Sequence, residues 1–124
     1  MLARRRLAPV LIALVGLVAA AGLSACTPAQ GAIAAARSQI GMPYVRGGES
    51  PSEGGFDCSG LTSYAWKQAG VTLPRTSSAQ YAWTERITKA ELQPGDLVFY
   101  SSSRSTSSIS HVALYAGDGT IIQA

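Results

Sequence analysis

The sequence predicts an α+β fold, and two observations carry that prediction. Helical patterns occupy the chain from about residue 30 to residue 83, whereas strand patterns occupy it from residue 97 onward. Helices followed by strands, without alternation between them, is the order of an α+β chain rather than a parallel βαβ array. The 124 residues leave room for a single domain, with no internal repeat and no heptad run.

Residues 1–25 read as an export leader: a basic start at Arg4-Arg5-Arg6, an apolar run from Leu7 to Leu23, then small residues before Cys26. As a membrane span the run is marginal, because Pro9, Gly16 and Gly22 interrupt the roughly 20 apolar residues required. Removing the leader's three arginines from the ten basic residues leaves seven against seven acidic ones. A near-neutral remainder gives no nucleic-acid surface. One His and two Cys do not make a zinc site without carboxylate help, so neither metal nor cofactor is expected.

Residues 26–29 are expected to be a short tether and residues 30–124 the domain. An alanine-rich helix runs from Gln30 to about Gln39, ended by Gly41 and Pro43, and a Gly/Ser/Pro/Glu loop follows to Gly55. The chain is organised around the next stretch, Gly54-Gly55-Phe56-Asp57-Cys58-Ser59-Gly60-Leu61. Good helix formers continue to Gln68 and stop at Gly70, a residue suited to the left-handed C′ position. Asp57 is a candidate N-cap, which sets Cys58 in the first turn, where the helix dipole favours a thiolate. Ser77 or Ser78 is expected to cap a short helix through Gln80, Tyr81 and Trp83, with its aromatics in the core. Pro94-Gly95-Asp96 is a turn and Leu97–Tyr100 a buried strand. Residues 101–110 form a solvated Ser/Thr loop without core residues before Ile109.

The chain closes with His111–Tyr115 and Thr120–Gln123 around a Gly-Asp-Gly turn, a hairpin signal. Folding about Gly117 without a bulge puts His111 directly opposite Gln123 on one face. A cysteine at a helix start, a histidine on a strand and an amide beside that histidine are the parts of a Cys–His–amide nucleophilic system. Gln123 is expected to accept a proton from the ring at Nδ1.

The tetrad Leu23-Ser24-Ala25-Cys26 resembles the lipobox of bacterial lipoproteins. That resemblance implies cleavage before Cys26, a lipid on its sulfur and a domain held at the membrane facing the cell wall. Two cysteines in an exported chain would ordinarily suggest a disulfide; acylation of Cys26 would instead leave Cys58 free. The blocks Pro43–Gly48, Gly55–Leu61, Leu73–Ser77, Pro94–Val98 and His111–Tyr115 together resemble the NlpC-type cell-wall cysteine peptidases. This implies a papain-like fold with N-terminal helices packed on a small antiparallel sheet. It also implies Cys58 as nucleophile, His111 as base and Gln123 at a third position where many family members have His. By the same resemblance Tyr44, Asp57 and Ser59 line the substrate pocket, with Asp57 and Ser59 near the free amine of a peptidoglycan stem peptide. The implied activity is hydrolysis of stem-peptide amides, with the γ-D-glutamyl–diaminopimelate bond as target, by a monomer. An amidase or acyltransferase on the same scaffold, or an inactive wall-binding lipoprotein, are the competing readings. Ala124 follows the third catalytic position directly, which is earlier than the resemblance implies and reads as a sheet cut short.

Overall fold

The computed structural model describes residues 1–4 and 27–124. The first helix, α1 (Pro28–Ser38), starts two residues earlier than the alanine-rich pattern suggests. Thr27 and Gln30 form a reciprocal capping box, with Gln30 N donating to Thr27 Oγ1 at 3.2 Å and Thr27 N donating to Gln30 Oε1 at 3.0 Å. Pro28 takes the first helical position, where its missing N–H costs nothing. Pro28 and Ala29 are therefore helix, not tether.

Two short strands, β2 (Glu49–Ser50) and β3 (Gly55–Phe56), pair antiparallel across a 3₁₀ turn over Pro51–Glu53. The central helix α2 (Cys58–Gln68) follows, and Gly70 adopts a φ of 86° just past its end, as expected. Next comes α3 (Ser77–Trp83), whose cap is Thr76, one residue before the expected serines: Thr76 Oγ1 accepts from Ala79 N at 3.2 Å. Its buried side chain is Gln80, fully enclosed, while Trp83 is exposed and Tyr81 sets its ring edge-on to Phe99.

The main sheet has the order β4-β1-β5-β6-β7, comprising β4 (Glu85–Ile87), β1 (Leu2–Arg4), β5 (Leu97–Ser101), β6 (Ile109–Gly117) and β7 (Thr120–Ile122). Every pairing in it is antiparallel. α1 packs on α2, and α2 and α3 pack on β6. Ala32, Ala36, Phe56, Leu61, Ala65, Leu97, Phe99, Val112 and Leu114 form the core between helices and sheet. The expected α+β architecture is observed.

The stretch expected as a leader divides in two. Leu2–Arg4 form a strand inside the sheet, and residues 5–26, with the expected cleavage site and Cys26, lie outside the described residues.

The terminal hairpin turns at Asp118-Gly119, with Gly117 opposite Thr120, and a bulge between Tyr115 and Gly117 then sets the register back by one. Leu114 faces Ile122, so one further step sets Gln123 opposite Ala113 rather than His111. The shift is two residues, and a shift of two keeps a side chain on its face. His111 and Gln123 are thus diagonal neighbours.

Candidate active site

The glycines of the organising stretch serve close approach. A Cβ on Gly55 would lie 2.0 Å from the Pro43 carbonyl oxygen, and one on Gly60 would lie 1.9 Å from the Gly48 carbonyl oxygen. Without side chains at these two places, the 43–48 loop, β3 and the start of α2 can touch through their backbones. Phe56 N donates to Pro43 O at 3.2 Å, Val45 N to Phe56 O at 3.0 Å, and Asp57 N to Gly48 O at 2.9 Å. The loop is thereby stitched along the entry to α2, and Cys58 emerges as that helix's first residue.

Asp57 caps α2 as expected: its Oδ1 accepts from Gly60 N at 2.7 Å. It does more than cap. Arg75 Nη1 donates to Oδ1 at 3.0 Å and Nη2 to Oδ2 at 2.8 Å, while Gly47 N donates to Oδ2 at 3.2 Å. Ser59, 6% exposed, donates to Oδ1 at 3.4 Å and accepts from Arg75 Nη1 at 3.0 Å. Burial works against the Asp57 charge, but the Arg75 guanidinium and the N–H groups of Gly60 and Gly47 outweigh it and hold the carboxyl below its usual range. The guanidinium is reciprocally held protonated, chiefly by its hydrogen bond to Asp57, against some desolvation, with the Asp57 and Glu49 charges adding to the effect. Arg75 also reaches Glu49, Nε to Oε2, at 2.8 Å.

Arg75 was not singled out in the sequence, although it lies inside the Leu73–Ser77 block. The signal available was the Asp57 carboxylate itself, which as a cap uses only one oxygen on a local N–H and leaves the other for a cation. Gln80 was likewise missed. Its Nε2 donates to Ser59 O at 3.2 Å, Ser63 Oγ at 3.0 Å and Pro74 O at 2.9 Å, and its Oε1 accepts from Thr62 Oγ1 at 2.8 Å. One buried amide thus ties α3 to the first turns of α2 and to the segment that carries Arg75.

His111 is half-buried on β6, the strand against which α2 packs. Its Nε2 lies 2.7 Å from Gln123 Oε1. An amide oxygen only accepts, so Nε2 carries the proton and a neutral ring keeps its lone pair at Nδ1. This differs from the expected assignment to Nδ1: the amide oxygen meets Nε2. Tyr100, the cross-strand partner of His111, sets its ring 5.4 Å from the imidazole, tilted by 46°. That contact limits ring rotation and was not anticipated, because it depends on the β5–β6 register.

Cys58 is a free, half-buried thiol whose side chain packs against the edge of the core. Among the expected pocket residues, Asp57 and Ser59 meet in one network. Tyr44 stands apart, 62% exposed, joined to β3 through a backbone bridge with Phe56.

The NlpC/P60 family profile matches residues 41–124. The "Probable endopeptidase p60" of Listeria seeligeri is 50% identical over 92 residues, covering 74% of this chain and 17% of that protein. The "Gamma-DL-glutamyl hydrolase" of Bacillus subtilis is 49% identical over 90 residues, covering 72% of this chain and 21% of that protein. The chain thus spans about a fifth of the length of these relatives. Among solved structures, the peptidoglycan hydrolase RipB of Mycobacterium tuberculosis superposes with a TM-score of 0.67 at 37% identity, over 78% of this chain and 52% of that one.

Proposed function

The chain belongs to the NlpC/P60 family, and from that premise we propose that it is a cysteine endopeptidase cleaving the stem peptides of peptidoglycan. The observation that carries this reading is the 2.7 Å contact between His111 Nε2 and Gln123 Oε1, which orients the ring and leaves Nδ1 as a base. His111 takes the Cys58 proton. The thiolate adds to the scissile carbonyl carbon, and backbone N–H groups at the start of α2 receive the developing oxyanion. The imidazolium returns its proton to the leaving amine as the C–N bond breaks, which leaves a thioester. Water, deprotonated by His111, then releases the acyl product and restores the thiol.

The bond we assign is γ-D-glutamyl–diaminopimelate, supported by similarity to the glutamyl hydrolase. Tyr44, Asp57 and Ser59 border the substrate side. All the near contacts of the Asp57 carboxylate are taken in the free protein, so an arriving ammonium would compete with Arg75, for which Glu49 offers an alternative partner. Replacing Cys58 by Ala is expected to abolish release of stem peptides from purified sacculi, measured by mass spectrometry of the soluble products. Undiminished release by the variant would defeat the assignment.

The tetrad ending at Cys26 supports a lipid anchor on the wall-facing side of the membrane. Cells expressing the chain should incorporate labelled fatty acid into it, and Cys26→Ser should stop that labelling.

A further inference from the structure

We infer that the gap between β4 and β5 is a strand-acceptor site that selects an arginine, and that Met1–Arg4 is its occupant while the leader remains attached. The occupant is held by two chemistries. Its backbone pairs on both sides, Leu2 and Ala3 with Val98 and Leu97 of β5, and Leu2 to Arg4 with Ile87 to Glu85 of β4. The Arg4 side chain then turns toward the sheet's end. Its Nε donates to Asp96 Oδ1 at 2.8 Å, and its Nη2 donates to Asp96 Oδ2 at 2.7 Å and to the Glu91 carbonyl at 2.6 Å.

The acceptor needs such an occupant. With Met1–Arg4 in place Asp96 is only 4% exposed, and among the described residues its carboxylate also accepts from the Gln93 N–H at 2.7 Å. A carboxylate buried that deeply is costly without a cation. β4 has no sheet partner among the described residues other than β1, so emptying the gap detaches it from the sheet. The effect also reaches the active site's supports. β5 stands between β1 and β6, and its Tyr100 pairs with His111.

On the reading of residues 1–25 as an export leader, on which this inference rests, these residues cannot be a sheet strand and, at the same moment, the basic start held at the membrane surface during export. Closure of the sheet by Met1–Arg4 and export of the chain are therefore competing fates of one segment, and removal of the leader vacates the gap.

Hydrogen exchange on the full chain tests this. The Phe99 N–H, which donates to Met1 O at 2.9 Å, reports occupancy, and the Leu61 N–H, which donates to Asp57 O at 3.0 Å, serves as control. Arg4→Gln is expected to speed exchange at Phe99 by roughly tenfold or more, with Leu61 unchanged. In an Asp96→Asn background the same Arg4→Gln change should have less than half that effect, because the pair is already broken. A protease site inserted between Arg6 and Leu7 adds a second measurement: after cutting, the amides of Phe99 and of β4 should lose protection as the short fragment departs on dilution. The inference is overturned if Arg4→Gln leaves Phe99 unaffected, if its effect is equal in both backgrounds, if Phe99 and Leu61 accelerate together, or if the fragment departs with protection intact.

Discussion

His111 shows how little a side chain's identity says until its neighbours are known. A lone histidine on a strand is an ordinary residue; one whose Nε2 lies 2.7 Å from Gln123 Oε1, with the Tyr100 ring tilted beside it, has a restricted ring. In the mechanism proposed above Gln123 is a positioning residue. Gln123→Ala should reduce kcat by roughly ten- to a hundredfold, the order expected when a catalytic imidazole loses its orienting partner, while KM changes little. Gln123→His should retain most activity, since a ring nitrogen can accept the same proton. Steady-state kinetics on a soluble stem peptide decides both, and an Ala variant with parental kcat would remove Gln123 from the mechanism.

At the scale of the element, α2 depends on its first turn. Asp57 caps it and is held ionised by Arg75, so this contribution has a pH window with a definite sign. The folded-state pKa lies below the ordinary value of 3.8. The stabilisation is therefore fully present above about pH 4 and is lost as the pH falls through the lowered folded value. Asp57→Asn should flatten the acid limb of the stability curve, measured as Tm against pH between about 5 and 2. An acid limb unchanged by the variant would locate that titration elsewhere. The element scale also explains the two misplaced helix starts. Thr27 and Thr76 are both caps: Thr27 was passed over because the alanine-rich pattern begins after it, and Thr76 because Ser77 and Ser78, cap formers of the same kind, follow it directly. A cap is non-helical by definition, so periodicity never includes it.

Across the whole molecule, one buried amide joins what chain order separates. Gln80 connects Ser59, Thr62, Ser63 and Pro74, and with them α2, α3 and the Arg75 segment. Gln80→Leu keeps the volume and strips the donors, leaving buried oxygens short of partners. The expected cost is about 2–3 kcal/mol, or a Tm lowered by on the order of 10 °C in calorimetry, with activity falling further than the unfolded fraction explains. A stability loss with unchanged activity per folded molecule would make Gln80 purely structural.

Much of this architecture was legible from residue order because its signals are local. Asp57 before Cys58 and Gly70 after Gln68 mark the ends of α2, and Gly-Asp-Gly between two apolar runs marks the β6–β7 turn. Backbone preference and helix-end chemistry act over a few residues, so a sequence states them directly. What depended on three dimensions was of another kind: Arg75 reaching Asp57 across 18 positions, Gln80 filling a buried junction, and Arg4 crossing 92 positions to Asp96. The terminal hairpin belongs with these: its turn lies at Asp118-Gly119 instead of Gly117, which alone would set Gln123 opposite Leu114, and the one-residue bulge beyond Tyr115 sets it opposite Ala113, on the face of His111. Such pairings depend on which surfaces the packed core brings together, and no local propensity encodes that.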